Sequence, residues 1–281
     1  MTSERTPPQE WDGGIPAEEE EHPTFDTSVA HVARVYDYWL GGKDNYEADR
    51  KAGDSVIQVY PEVVTSVRLN RAFLARTVGH LASEAGIRQF LDIGTGIPTA
   101  NNTHEVAQAV APESRIVYVD NDPIVLAHAR ALLTGSPQGA TDYIASDLRD
   151  TQTVLAQAAR ILDFSKPIAV MLFTILHVIG DDEDPYGIVA TLIDAVPSGS
   201  YLALSHVASD MEPEKMAESR DRFNRLAHQK VTFRGNAEVT RFFQGLELVE
   251  PGVVRVEEWR PDSETEIKSP SNLWGGVARK R

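Results

Sequence analysis

Apolar positions along this 281-residue chain keep three different rhythms. Residues 1–26 hold few of them, set among Pro, Gly, Ser and a run of Glu, which predicts a disordered acidic tail. From Ser28 onward Val29, Val32, Ala33, Tyr36 and Leu40 recur at three- and four-residue spacing, the period of a helix that buries one face. Asp26, Thr27 or Ser28 can cap that helix, and Gly41-Gly42 can end it. A second helix is expected from Asp44 to just before Pro61. A third carries Val63, Val67, Leu74, Val78 and Leu81 on one face and ends at Gly86. Residues 27–86 thus read as an N-terminal helical segment.

The third rhythm fills residues 87–281. RQFLDIG (88–94), RIVYVD (115–120), TDYIASD (141–147), PIAVMLFTI (167–175) and SYLALSHV (200–207) are five strand candidates. Helical stretches lie between them near 102–110, 122–133, 150–161 and 185–195. Several of the runs are apolar on both faces, so the pattern predicts an α/β fold with a doubly wound, mostly parallel sheet covered on both sides. A long amphipathic helix after Glu212, a short one near 236–244, and two strand candidates within LELVEPGVVRVEEW and LWGGVARK complete the chain.

Composition narrows the function classes. The formal net charge is −15, of which the first 26 residues supply −7. An acidic chain without a basic stripe repels nucleic-acid phosphates, so no nucleic-acid partner is expected. Absence of cysteine removes disulfides, thiolate metal sites and cysteine nucleophiles. No apolar run approaches a membrane span and the first residues lack a signal-peptide pattern, so a cytoplasmic protein with no membrane partner is expected.

The first strand ends in Asp92 and enters a glycine turn, Gly94-Thr95-Gly96. In a doubly wound sheet ligands sit beyond the carboxyl ends of the strands, and glycine lets the backbone approach them closely. The dinucleotide fingerprint calls for a third glycine where this chain has Thr99. The second strand ends in Asp120, a carboxylate that can accept from two ribose hydroxyls, so NAD or any other adenosine-bearing ligand fits. The third ends in Asp147, which can cap the next helix or accept from an adenine amine, with Leu148 N–H beside it. Three acids, expected in register along the strand ends, suit a cationic ligand without phosphates.

These residues also carry a resemblance. LDIGTGIPT, VYVDND, SDLRD and MLFTILHVI resemble the successive motifs of class I S-adenosylmethionine-dependent methyltransferases. ARVYDYWLGGKDNYEADR (33–50), VYVDNDPIVLAHARALL (117–133) and WGGVARK (274–280) are similar, more specifically, to the actinobacterial S-adenosyl methyltransferase family, over roughly residues 27–281. The resemblance implies a seven-stranded Rossmann-like sheet whose last strand enters antiparallel. It implies S-adenosyl-L-methionine as cofactor and S-adenosyl-L-homocysteine as product. It implies Gly94, Thr95 and Gly96 at the methionine part, Asp120 on the ribose and Asn121 beside the adenine. Asp147 and Leu148 would meet the adenine edge, and Asp92 the cofactor ammonium.

The N-terminal segment then gains a role, closing the pocket with Tyr36, Tyr38, Trp39 and the Gly41-Gly42 turn, although aromatics and a glycine stop at these places also serve plain packing. His177, after the fourth strand, is the candidate general base, or else a structural histidine bonded to a loop carbonyl. Asp181, Asp182, Glu183 and Asp184 suggest either a metal site or a solvated run opening a helix at Pro185. His104 and Glu105 lack partners at zinc-ligand spacing, and no metal is expected. His206 is a candidate for the acceptor pocket. The leading expectation is methyl transfer to the oxygen or nitrogen of an unidentified small molecule. The alternatives are a non-catalytic binder of the same cofactor and an NAD-dependent oxidoreductase. Oligomeric state is not legible.

Overall fold

The computed structural model describes residues 26–132, 135–261 and 270–281, so the expected tail, up to residue 25, lies outside the described residues. Its sheet contains β1 (Gln89–Ile93), β2 (Arg115–Asp120), β3 (Ala140–Ala145), β4 (Ala169–Phe173), β5 (Tyr201–Val207), β6 (Glu247–Leu248), β7 (Val254–Arg255) and β8 (Leu273–Arg279). The order is β3-β2-β1-β4-β5-β8-β6, with β7 also paired to β8. The first five strands are mutually parallel, and β8 enters antiparallel between β5 and the edge. The seventh position is filled by two short pieces, β6 and β7, because LELVEPGVVRVEEW breaks at Pro251-Gly252.

Alternation along each strand builds two cores. Phe90, Ile116, Tyr118 and Met171 face one side, against Phe73, Leu81 and Trp259. Leu91, Ile93, Val119, Val170 and Leu172 face the other, against Val154, Leu192 and Leu204. The covering helices are α3 (Val63–Ser83), α4 (Thr103–Val110), α5 (Pro123–Leu132), α6 (Thr151–Ala158) and α7 (Pro185–Asp194), with α8 (Pro213–Leu226) and α9 (Asn236–Arg241) following β5.

There is no seam at residue 86. The apolar stripe of α3 is part of the sheet's own core, so only α1 (Val32–Leu40) and α2 (Glu47–Ile57) form a cap beyond the strand ends. That cap closes on α8: Arg222 on α8 donates to Gln58 Oε1 (2.9 Å) just after α2, and Ala30 pairs with Ala227. Gly41 ends α1 at φ 84°, and its N–H and that of Gly42 bond back to Tyr38 O and Asp37 O. A Cβ on Gly42 would fall 1.9 Å from Asp37 Oδ1, so glycine is required there by the buried Asp37 carboxylate. Asp37 in turn accepts from Asp44 N and Asn45 Nδ2, fixing the loop into α2.

Candidate active site

One cavity opens at the carboxyl ends of β1, β2 and β4, beneath α1, α2 and α8. Its wall is shared between residues of the strand ends and residues of the cap and α8.

Asp92, Asp120 and Asp147 all reach its wall, but not in register. Asp92 pairs opposite Tyr118, and Asp120 opposite Ala145. Each next acid therefore stands two residues farther out, because neighbouring strands are staggered. The row climbs from Asp92, buried at the floor, to half-buried Asp147 at the rim. Burial pushes the Asp92 carboxyl up to about 6, against a hydrogen bond from Thr103 Oγ1 (2.6 Å) and the nearby Arg71 charge, with Asp120 adding to the rise. Asp120 is also raised by burial. Its oxygens accept from Gly96 N (2.8 Å) and Asp122 N (3.0 Å), which leaves each one a lone pair for a ligand.

The glycine turn is built around this carboxylate. Gly94 sits at φ 75°, and a Cβ there would fall 2.4 Å from Ile175 Cγ1, so the turn after β1 can press against the turn after β4 only without a side chain. Thr95 Oγ1 donates to Asp92 O (3.1 Å). At the rim, Asn121 Nδ2 donates to Asp147 Oδ2 (3.0 Å), and Arg149 bonds both Asp147 oxygens (3.1 Å) and Glu183 Oε1 (2.6 Å). The rim is thus less acidic than three bare carboxylates, and the helix-capping alternative for Asp147 falls instead to Asp150, which accepts from Thr153 N. Leu148 lines the same wall.

From the cap, Tyr36 and Trp39 reach the cavity. Tyr38 turns outward to Asp54 (2.7 Å). Gly41 and Gly42, expected at the cofactor, are not among the lining residues; their work is to stop α1 and make room for Asp37. Tyr36 donates to Val67 O (3.1 Å) and accepts from Asn70 Nδ2 (3.0 Å). Asn70 also donates to Thr174 Oγ1 and accepts from Ser205 Oγ, so a closed polar network joins the cap to the ends of β4 and β5.

His177 lines the cavity from the turn after β4. Its Nδ1 is buried without a partner. Burial, and next the Arg234 charge, push the ring down to about 4. His206 is not in the wall. It lies fully buried, with Nδ1 donating to Val207 O (2.9 Å) and Nε2 accepting from Arg234 Nη1 (3.0 Å). Arg234 also donates to Leu176 O, Ile179 O and Asp181 Oδ1 (2.6 Å), clamping the turn that carries His177. Of the acidic run, Asp181 holds Arg234, Glu183 holds Arg149 and Asp184 caps α7; among the described residues no group of metal ligands forms.

Two features escaped sequence reasoning. Arg71 enters the wall beside Asp92, with Nη2 bonded to Ala100 O (3.1 Å) and Nε buried without a partner. A buried quartet ties the cap to β2: Arg34 Nε lies 3.4 Å from Asp49 Oδ1 and 3.9 Å from Asp122 Oδ2, and His31 Nδ1 lies 3.0 Å from Asp122 Oδ2. The first had a signal, since Asn70 and Arg71 interrupt the apolar stripe of α3 between Val67 and Leu74.

The family model described as S-adenosyl methyltransferase matches residues 18–281. The chain belongs to the S-adenosyl methyltransferase family. It is an S-adenosylmethionine-dependent methyltransferase, and S-adenosyl-L-homocysteine is the product of its cofactor. Two solved structures are similar over most of the methyltransferase. A DUF574 family protein from Streptomyces avermitilis MA-4680 is 46% identical, with a TM-score of 0.88 over 91% of this chain and 99% of its own. A candidate methyltransferase from Thermobifida fusca YX is 40% identical, with a TM-score of 0.84 over 91% and 97%. The plantazolicin methyltransferase BpumL, crystallised with S-adenosylhomocysteine and a triazolic desmethylPZN analog, shares the fold at 12% identity and a TM-score of 0.52, over 89% of this chain and 96% of its own. No curated protein matches the chain. Among the described residues no helix is long and apolar enough to cross a membrane.

The raised Asp92 carboxyl has a measurable consequence. In the folded chain it keeps its proton to higher pH than in the unfolded chain, so ionising it costs stability as pH rises from about 4 to 6, by about 3 kcal/mol. A cationic group bound beside it favours the carboxylate. The family resemblance implies the cofactor ammonium beside Asp92, and on that placement S-adenosylhomocysteine affinity is expected to rise about tenfold from pH 5 to pH 7, with proton release seen by calorimetry in two buffers. Asp92→Asn should flatten the rise.

Proposed function

We propose that the protein transfers the cofactor methyl group to an oxygen or nitrogen of a small organic molecule held under the helical cap. The observation that carries this reading is a single cavity with two unlike ends, acidic and glycine-lined at β1–β3 and largely apolar under α1, α2 and α8. On the first end, Asp120 takes the ribose hydroxyls, Asn121, Asp147 and Leu148 the adenine, Gly94, Thr95 and Gly96 the methionine backbone, and Asp92 its ammonium. Arg71, with a free buried Nε, suits the methionine carboxylate. Tyr36 and Trp39 close the site from above. The cofactor supplies an electrophilic methyl on a sulfonium; the chain's residues orient it and keep water out.

His177 is a weak base here. Its ring is neutral throughout the working range, and its low proton affinity suits a hydrogen-bonding, positioning contact to the acceptor better than full proton removal. Catalysis then rests mainly on proximity and orientation. Asp147, Asp120 and the acidic surface disfavour a phosphate-rich acceptor, so no nucleic-acid substrate is proposed.

Turnover with pooled small-molecule acceptors tests the reading, by release of S-adenosylhomocysteine. His177→Ala is expected to lower kcat about 10- to 100-fold while changing S-adenosylhomocysteine affinity less than threefold, and the wild-type profile from pH 6 to 8 should show no inflection from this ring. Strong binding of the cofactor with no turnover of any acceptor would favour a binding protein of the same fold.

A further inference from the structure

The apolar end of the cavity carries information about its occupant. Trp39 from α1, Tyr60 after α2, Met216 and Phe223 from α8, and Val231 and Phe233 from the following stretch line the cavity from elements other than the strand ends that carry the carboxylates. Every charged residue of the wall belongs elsewhere: His31, Arg71, Asp92, Asp120, Asp147 and Arg149 stand on the strand-end side or at the quartet beneath the cap. Tyr60 spends its hydroxyl on Ser66 and Asn272 N, so it offers the cavity a ring face rather than a polar handle. The polar groups remaining on this side are Ser219, Gln229 and His177, all neutral.

A charged acceptor would lose its water in such a place without a partner of opposite sign. An alkyl amine is cationic at neutral pH and meets no carboxylate there; a carboxylic acid meets no guanidinium or ammonium. Flat apolar molecules, in contrast, gain from ring faces and from the thioether of Met216, which adapts to irregular shapes. Because no strong base among the described residues faces this space, the reacting group must be one that gives up its proton with little help. An aromatic hydroxyl does so more readily than an aliphatic one.

We propose that the acceptor is an uncharged hydroxyarene, bound with its ring among Trp39, Tyr60, Met216, Phe223 and Phe233 and its hydroxyl toward His177. The proposal rests on the methyl-transfer reading above and adds the chemical class of the acceptor. In the reaction the hydroxyl oxygen forms a bond to the methyl carbon as the carbon–sulfur bond breaks, and that electron pair goes to sulfur. The hydroxyl proton leaves to water through the cavity mouth. The products are an aryl methyl ether and S-adenosylhomocysteine.

The test uses the full chain saturated with S-adenosylhomocysteine and three probes of one size: 2-naphthol, 2-naphthoate and 2-(aminomethyl)naphthalene. Thermal shift and calorimetry are expected to show binding of 2-naphthol at least tenfold tighter than of either charged probe. With S-adenosylmethionine, mass spectrometry should show 2-methoxynaphthalene. Phe223→Ala should weaken 2-naphthol binding at least tenfold, and Phe223→Leu should keep it within about fivefold. Absence of 2-naphthol binding to the loaded protein, or preference for a charged probe, overturns the acceptor class while leaving the cofactor reading intact. Failure of S-adenosylhomocysteine itself to bind overturns the underlying reading instead.

Discussion

Replacing Asp120 with Ala is expected to weaken S-adenosylhomocysteine binding at least about 100-fold. The side chain has two duties. It holds the glycine turn and the start of the next loop by accepting from Gly96 N and Asp122 N, and on the cofactor placement proposed above its two remaining lone pairs meet the ribose. Removing it leaves two backbone N–H groups in a buried place without their acceptor and deletes two ligand contacts, each worth about 1 kcal/mol or more. About 3 kcal/mol corresponds to the 100-fold loss. Asp120→Asn should fall between, because one amide oxygen can still accept while the NH₂ group faces a backbone donor. Thermal shift separates binding from folding: wild type gains about 2.7 kcal/mol when the ligand is at 100 times its Kd, and Asp120→Ala should gain almost nothing at the same concentration. A retained shift would remove Asp120 from the cofactor site.

The sheet was legible because its residues obey local rules. β2 was bounded by sequence alone, since RIVYVD is β-rich and the turn on either side is marked. The break of the last edge into β6 and β7 was not seen as two pieces, because Val253 and Val254 look like strand whatever precedes them, and the Pro251-Gly252 turn decides their pairing only through β8. The strand-end acids were found as a set, but their stagger was not, because register depends on where the neighbouring strand starts and not on any residue in the motif. Helix α1 is capped by His31, whose ring accepts from Ala33 N, and not by Asp26, Thr27 or Ser28, because His31 N–H is taken by Asp49 and its ring lies 3.0 Å from Asp122. Such long-range polar contacts have no signature in spacing. Gly41 and Gly42 show the converse: a conspicuous local pattern whose cause is the neighbouring Asp37 and not a ligand.

Replacing Arg34 with Met should be the most damaging single change in the cap. Arg34 is 4% exposed, Asp49 is 0% and Asp122 is 3%. Asp49 is already committed to His31 N and Tyr46 N, and Asp122 to Ile124 N, so neither carboxylate can turn toward water when the cation is lost. Although burial works against it, the His31 contact and the Arg34 charge hold the Asp122 carboxyl below its usual range, which places it charged in the folded protein. Breaking a buried pair from one side costs about 3–5 kcal/mol. For a chain of this size that is a fall in Tm of roughly 6–20 °C. The double variant Arg34→Met, Asp49→Asn should recover part of the loss, since it removes one of the stranded charges, and a double-mutant cycle would read their coupling directly. The loss should also be functional: the quartet is what fastens α1 and α2 to the end of β2, two residues from Asp120, so a loosened cap admits water to the methyl-transfer site. Arg34→Met is accordingly expected to lower S-adenosylhomocysteine affinity even at temperatures where the protein is folded. A drop in stability under about 1 kcal/mol, with affinity unchanged, would mean that apolar packing and not this buried charge holds the cap in place.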